Sequence, residues 1–239
     1  DSMRGIAALA VIISHGLAIF ALPSNLLDIT PLYFFWASHE AVIFFFVLSG
    51  FVLSFPFLSK KVNYADYLIK RFFRIYAPYL VAILFTFFMF YLFASQGKLT
   101  GLGAWIETKW NESLSISGFI NHITLLGNYD TTTYNPVIWS LIHELRISIV
   151  FPVIIFMLIK YPQKYTVLLG VSLSIIGCLN RVFEFQISHG YLTSMFDSLH
   201  YILMFITGAI LAKNKDYLLE KYSNLQFKYK LSFLLIGFA

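Results

Sequence analysis

Two polar residues, Arg4 and His15, interrupt the first apolar stretch of the chain and have side chains that could do chemistry. On a helix their spacing is about 20° more than three full turns, so both side chains share one face, ~16 Å apart along the axis. Ionisable groups cost free energy inside a bilayer and usually line a pathway or a site. We therefore interpret the pair as part of a site within a membrane. The alternative is that His15 only hydrogen-bonds a neighbouring helix.

A basic segment, Lys70-Arg71-Phe72-Phe73-Arg74, carries two guanidinium groups at helical spacing. Because Arg71 and Arg74 are separated by three positions, they share one face of a helix. They could anchor the helix where it meets anionic lipid. They could also clamp a phosphate group, because guanidinium groups bind phosphate in a bidentate manner. The residues alone leave both interpretations open.

The segment 139–146 is the densest polar cluster inside any apolar stretch. Its adjacent residues His143 and Glu144 point about 100° apart on a helix, so they cannot both face one cleft squarely. Arg146 either pairs with a carboxylate or lines a cavity. We predict that four residues of the apolar stretches line a substrate groove: Ser49, Trp139, Ser140 and His143.

Ser49 is followed by Gly50, and such a pair can kink a helix or allow two helices to pack closely, so packing and a substrate-facing role are equally open. No pair of His, Cys or carboxylate residues has a metal-site spacing that its context supports, so no metal is predicted. We predict that three residues lie at the surface near the outer interface of the membrane, where water satisfies polar groups: His39, Glu40 and His122.

The composition is that of a protein embedded in a membrane. Hydrophobic residues make up 59% of the 239 residues and charged residues only 12%, whereas a soluble domain has about 45–50% and about 25%. The formal net charge of +5 does not indicate a nucleic-acid partner, because the basic residues flank apolar stretches instead of forming a soluble basic face. The single cysteine, Cys178, excludes an intrachain disulfide.

Apolar stretches long enough for membrane-spanning helices predict an all-α transmembrane bundle with about seven spans. They lie at residues 5–22, 40–58, 76–94, 136–159, 165–180, 196–212 and 231–239, the fifth being short for a full span and the last incomplete. We expect residues 1–239 to form one domain of a longer protein whose chain is cut at both ends. A short interfacial helix is predicted at 117–126, and Asn135 and Pro136 are suited to cap and begin the following helix.

Charge asymmetry between the loops predicts the orientation. Thirteen lysine and arginine residues fall on one side and three on the other, which places the N-terminus of the chain in the cytoplasm. With this topology His15, Ser49 and Glu144 each lie ~12–14 Å from the outer ends of their helices. A carboxylate can hold an imidazole in one tautomer and support the imidazolium that forms. We predict that His15 is a general base for an acceptor hydroxyl and that Glu144 assists it.

Four blocks resemble the acyltransferase 3 family of multi-pass membrane O-acyltransferases, in the order in which the family has them. They are Arg4-Gly5 with His15, the segment 45–51 (Phe-Phe-Val-Leu-Ser-Gly-Phe), the segment 70–78 from Lys70 to Pro78, and Trp139-Ser140-Leu141 followed by Glu144. Each block is weak alone, and together they are specific.

The resemblance implies a protein of roughly ten spans that moves an acyl group, often acetyl, from acyl-CoA to a hydroxyl of a carbohydrate or similar acceptor. It implies that Arg4 and His15 form the catalytic pair and that Arg71 and Arg74, with their neighbour Lys70, contact the phosphates of the donor. Acyl-CoA is then a substrate, and no tightly bound cofactor is expected. The expected location is the plasma (cytoplasmic or inner) membrane. The alternative function is a transporter or channel for a polar solute that uses the same intramembrane charges.

Overall fold

The computed structural model describes residues 2–19, 37–59, 62–93, 115–226 and 228–230. Within these ranges six helical segments are long and apolar enough to cross a membrane. They are α1 (Ser2–Ile19), α2 (Ser38–Ser59), α3 (Tyr64–Phe93), α5 (Trp139–Lys160, preceded by a 3-10 turn at Pro136–Ile138), α6 (Gln163–Phe183) and α7 (Met195–Lys213). Two short helices, α4 (Ile116–Thr124) and α8 (Lys215–Ser223), complete the described elements. The predicted all-α bundle of membrane-spanning helices is confirmed, and the predicted span at 231–239 lies outside the described residues.

Two predicted helix boundaries are wrong, for related reasons. Helix α3 begins at Tyr64 instead of residue 76, and the Asn63 side chain accepts a hydrogen bond from the Ala65 amide at its first turn (2.9 Å). The basic segment 70–74 is therefore inside this helix. Helix α6 has 21 residues and is long enough for a full span, not short as predicted. In both helices charged residues lower the hydropathy of the outer turns, so a search for apolar stretches does not include those turns.

The start of α5 agrees with its predicted capping. The Asn135 side chain accepts a hydrogen bond from the Val137 amide (3.2 Å), and Pro136 is the first residue of the 3-10 turn that leads into the helix. The predicted short helix at 117–126 is α4, where the Ser115 hydroxyl accepts from the Gly118 amide (2.9 Å).

Helices α2 and α7 pack with their main chains in contact. A Cβ atom built on Gly50 would overlap the Phe205 carbonyl, and one built on Gly208 would overlap the Val47 carbonyl. Only glycine allows such an approach, so these two positions set the distance between the helices. The Ser49-Gly50 pair therefore serves close helix packing on its glycine side.

Helix α5 crosses the centre of the bundle, where it separates two hydrophobic cores. One core joins α5 to α2 and α7 around Phe46, Phe151 and Phe205. The other joins α5 to α3 and α4 around Ile83 and Ile142. Helix α1 packs on α2. The spaces left between α1, α2, α3 and α5 form the cavities described below.

One end of the bundle is rich in lysine, and we call it the lysine end. Lys213 donates a hydrogen bond to the Leu158 carbonyl (2.5 Å). The ammonium of Lys215 lies 5.4 Å from the centre of the Phe55 ring, and that of Lys160 lies 5.2 Å from the centre of the Phe156 ring. At the opposite end, the Asn128 side chain donates to the Ile187 carbonyl (2.7 Å) and ties two loops together. Successive spans thus alternate in direction.

Candidate active site

A cavity of about 610 Å³ lies between α1, α2, α3 and α5, and we call it the basic cavity. Its charged lining residues are Arg4 from α1, Arg71 and Arg74 from α3 and Glu144 from α5. Three guanidinium groups against one carboxylate leave an excess of two positive charges. Much of the remaining wall is apolar, so these charges interact strongly with one another and with any anion that enters.

An ion pair between Arg71 and Glu144 lies at the centre of this charged group. The guanidinium of Arg71 donates to Glu144 Oε1, and its Nε donates to the Ser148 hydroxyl (3.0 Å). Ser49 Oγ donates to the same Glu144 oxygen (3.0 Å). The pair is largely buried, with 6% of the Arg71 side chain and 22% of the Glu144 side chain exposed. Helices α2, α3 and α5 are thereby joined through one carboxylate.

The placement of this pair agrees with one prediction and corrects another. Ser49 and Glu144, predicted at the same depth, are in direct contact. Arg71 lies level with Glu144, and not at the beginning of a span as the sequence predicted, because α3 starts earlier and runs past α5 with Tyr67 bonded to the Ser148 carbonyl (3.1 Å). Among the described residues Glu144 therefore has a guanidinium partner, whereas the sequence suggested that it supports the imidazole of His15.

A second cavity, of about 360 Å³, contains His15, and we call it the histidine cavity. Its wall shares Val11, Val42 and Val137 with the basic cavity, so the two are neighbours. His15 Nδ1 lies 2.8 Å from the Val11 carbonyl. Since a carbonyl only accepts, Nδ1 carries the proton and Nε2 is the basic nitrogen of the neutral ring. His15 and Glu144 thus line adjacent cavities rather than a single one.

A third cavity, of about 410 Å³, lies beside the basic cavity and contains Lys70 and Asp66. Arg71 and Arg74 line both of these cavities. The three predicted donor-binding residues of the basic segment are therefore neighbours in space, with Arg71 and Arg74 at the boundary between the two cavities and Lys70 on one side of it.

The four residues predicted to line a substrate groove are divided among three places. Ser49 and Ser140 line the basic cavity. Trp139 lines the histidine cavity. The His143 side chain is fully buried and lies between the Ser198 hydroxyl (2.9 Å) and the Leu192 carbonyl (2.5 Å). His143 and Glu144 diverge as their angular separation requires, and His143 belongs to the packing between α5 and α7.

Arg146 performs a role that sequence reasoning missed. Its nitrogens donate hydrogen bonds of 2.7 to 3.1 Å to four main-chain carbonyls and one hydroxyl, those of Leu126, Gly127, Thr193, Ser194 and Ser198. These acceptors come from two loops at the end opposite the lysine end and from the first turns of α7. We use the name loop clamp for Arg146, His143 and Ser198 together with the loop residues that Arg146 contacts, namely Leu126, Gly127, Thr193 and Ser194. Residue type alone gives no signal for it, because the partners are mainly backbone groups.

Of the three residues predicted at the surface, one is exposed, one is half-buried and one is buried. Glu40 is exposed as predicted. His122 is fully buried, its ring lies 4.9 Å from that of Tyr129, and burial lowers the pKa of its imidazole. Burial likewise raises the pKa of Tyr129 to about 12. His39 lines the histidine cavity beside His15, with its ring stacked on Trp139. Aromatic neighbours from distant parts of the chain enclose both histidines, which a local pattern cannot reveal.

The family model described as an acyltransferase domain, acyltransferase 3, matches residues 1–239. No curated protein and no solved structure gives a match.

Proposed function

This chain belongs to the acyltransferase 3 family, and we propose that it moves an acyl group, acetyl in the simplest case, from acyl-CoA to a hydroxyl group of a carbohydrate or similar acceptor. The family and the spanning helices make it a membrane acyltransferase. The donor, the acyl group and the acceptor are part of the proposal. The family match favours this reaction over transport of a polar solute.

The basic cavity and the third cavity provide the donor site in this proposal. A coenzyme A donor carries several phosphate charges, and the excess positive charge of Arg4, Arg71 and Arg74 would attract them. Lys70 lies in the adjoining cavity and would contact the same anionic part of the donor. Because Arg71 is already held by Glu144 and Ser148, Arg4 and Arg74 would make the larger contribution to phosphate binding.

His15 acts as the general base. An acceptor hydroxyl in the histidine cavity would give its proton to Nε2 as the hydroxyl oxygen attacks the thioester carbonyl. The carbon–sulfur bond then breaks, and the leaving thiolate of coenzyme A takes up the proton. Glu144 contributes by fixing Arg71 and Ser49 at the boundary with the basic cavity. This differs from a direct contact between the carboxylate and the imidazole, and it keeps both residues in the reaction.

The proposed location is the plasma membrane with the N-terminus in the cytoplasm. The lysine residues near one end of the bundle support this orientation, because cytoplasmic loops carry an excess of lysine and arginine. The lysine end includes the side chains of Lys160, Lys164, Lys213 and Lys215. A cytoplasmic donor would then reach the cavities from this side.

The observation that carries the proposal is that a cavity with excess positive charge shares its wall with a cavity that contains an imidazole. Membranes that contain the full-length protein would be incubated with acetyl-labelled acetyl-CoA, and labelled acetate and labelled glycans would be measured. We expect His15→Ala to lower acetyl transfer by about 100-fold or more. The matched control is His189→Ala, since His189 is exposed on a loop. Equal transfer by the wild type and His15→Ala would remove His15 from the mechanism.

A further inference from the structure

The histidine cavity contains a second imidazole, that of His39 at the start of α2. Its Nδ1 atom is buried and has no hydrogen-bond partner among the described residues. A buried polar atom without a partner is destabilising, because it has lost its hydrogen bond to water without gaining another. Such an atom beside a cavity indicates that a molecule occupying the cavity supplies the missing hydrogen bond.

The orientation of His39 is fixed by an aromatic wall. Its ring stacks on Trp139 with centres 5.8 Å apart and planes 13° apart. The Tyr191 ring also packs on Trp139, edge to face, with ring centres 5.2 Å apart and ring planes at 79°. The stacking fixes the plane of the His39 ring, and in this orientation Nδ1 lies in the wall of the cavity that also contains His15.

The chemical character of the cavity defines the ligand class. Its described lining contains hydroxyl groups from Ser38, Thr132 and Tyr191 and no carboxylate, lysine or arginine. A volume of about 360 Å³ far exceeds the ~30 Å³ of one water molecule. Aromatic faces with hydroxyl and imidazole groups suit an uncharged ring that carries several hydroxyl groups.

We propose that His39 is an acceptor-binding residue, which hydrogen-bonds one hydroxyl of a neutral polyhydroxylated ring and thereby directs a second hydroxyl toward His15. This inference rests on the proposed function for the identity of the reaction. It goes beyond that function by assigning the orientation of the acceptor to His39, a residue outside the predicted catalytic set.

Two substitutions separate the hydrogen bond from the stacking. His39→Phe retains an aromatic ring against Trp139 and removes Nδ1. His39→Asn removes the ring and retains an amide near the position of Nδ1. The matched control is His189→Phe, because His189 is exposed outside the cavities. Each full-length variant would be purified in lipid nanodiscs and titrated with uncharged methyl hexosides, with Trp fluorescence as the binding signal, since a ligand beside Trp139 changes its emission. Acetyl transfer from acetyl-CoA to the same hexosides would be measured in parallel.

We expect saturable binding of at least one hexoside to the wild type, weakened about tenfold by His39→Phe because one hydrogen bond is lost. His39→Asn should recover most of the affinity, and His189→Phe should bind as the wild type does. In the transfer assay the KM for the hexoside should rise more than the KM for acetyl-CoA. A role confined to packing would instead be disturbed more by His39→Asn, which loses the ring, than by His39→Phe.

Two outcomes overturn the proposal: no hexoside binds the wild type, or His39→Phe binds as tightly as the wild type does. Binding that depends on His39 without any acetyl transfer would retain the acceptor site and refute the proposed reaction. If His15→Ala abolishes transfer and His39→Phe leaves the KM for the hexoside unchanged, the proposed reaction stands and the role of His39 is refuted. The two proposals are therefore separable in one set of variants.

Discussion

Two arginines of the spanning helices are almost equally buried, and they differ in what surrounds them. Arg71 is 6% exposed and Arg146 is 8% exposed. Arg71 pairs with the carboxylate of Glu144 at the wall of a cavity. Arg146 donates to carbonyls and a hydroxyl within the loop clamp. A guanidinium is expensive to bury and must find partners, and here each arginine meets that requirement in its own way.

The comparison shows that burial of a charge does not by itself indicate chemistry. Arg146 keeps its charge, but its donors are used to hold two loops against α5 and α7. Arg71 neutralises one carboxylate in a cavity where further positive charge remains. The basic cavity therefore keeps an excess of positive charge, which we propose attracts an incoming anion, whereas Arg146 and the loop clamp stabilise the fold. The following predictions test this division.

The largest expected effect is that of Arg146→Met on stability. The substitution leaves several buried carbonyl groups of two loops without donors, so we expect a loss of at least about 3 kcal/mol in the free energy of unfolding. Thermal unfolding in detergent measures the change. Arg181→Met, at an exposed position in the last turn of α6, is the matched control. If both variants melt at the wild-type temperature, the loop clamp is not a stabilising element.

For the ion pair between Arg71 and Glu144 we expect a different pattern. The double variant should lose less free energy of unfolding than the two single variants lose together. Arg71→Met and Glu144→Leu should each destabilise the protein by about 3 kcal/mol, because each leaves a largely buried charge without its partner. The double variant should recover part of that loss, with a coupling energy of about 0.5–3 kcal/mol. Unfolding of the four proteins in one detergent completes the cycle. Strict additivity would show that the pair contributes nothing as a pair.

The loop clamp region should respond to pH through His122. Burial lowers the pKa of its imidazole below the ordinary value of 6.5, so the unfolded chain binds the proton more readily than the folded chain does. The contribution to stability is therefore complete above pH 6.5 and is lost as the pH falls below that value. Melting temperatures between pH 7.5 and 5 should decline less steeply in His122→Phe than in the wild type.

His189→Phe is the control for this pH dependence, because it removes an imidazole whose side chain is exposed on a loop. Its melting curve should follow that of the wild type at each pH. A decline that is identical in all three proteins would assign the acid sensitivity to other groups.

The smallest expected effect is that of Ser49→Ala. This change removes one hydrogen bond to Glu144 and leaves the Arg71 pair in place, so we expect a loss of about 1 kcal/mol. The matched control is Ser140→Ala, at another serine of the same cavity wall, whose hydroxyl donates to the Val137 carbonyl at 3.5 Å. A larger loss in Ser49→Ala than in Arg71→Met would reverse the order of importance around the carboxylate.

The sequence was a reliable guide where a local rule determines the structure. Apolar length predicted the six described spans, and the Asn135-Pro136 pair predicted the start of α5, because capping depends on residues adjacent in the chain. Depth along a helix follows from residue counting, and this brought Ser49 and Glu144 together correctly. Depth does not determine the direction of a side chain around the axis, so the partner of Glu144 was not predictable.

The remaining errors concern contacts between distant segments. Arg71 reaches Glu144 because α3 begins at Tyr64, within a stretch too charged to be recognised as part of a span. His39 lies against Trp139 although a hundred positions separate them, so no nearby residue indicates this contact. His39 is for this reason the residue of the candidate site that only the folded chain brings to attention.

The main-chain contact between α2 and α7 at Gly50 and Gly208 has a practical consequence for anyone who wishes to redesign this protein. Ser49 and His39 are both carried by α2, so a larger residue at Gly50 would displace the two cavities together. Helix α1 offers more tolerance, because a methyl group added at Gly5 or Gly16 would meet nothing within 4 Å among the described atoms. Libraries that seek a new substrate range should vary α1 at Gly5 and Gly16 and leave the contact between Gly50 and Gly208 unchanged.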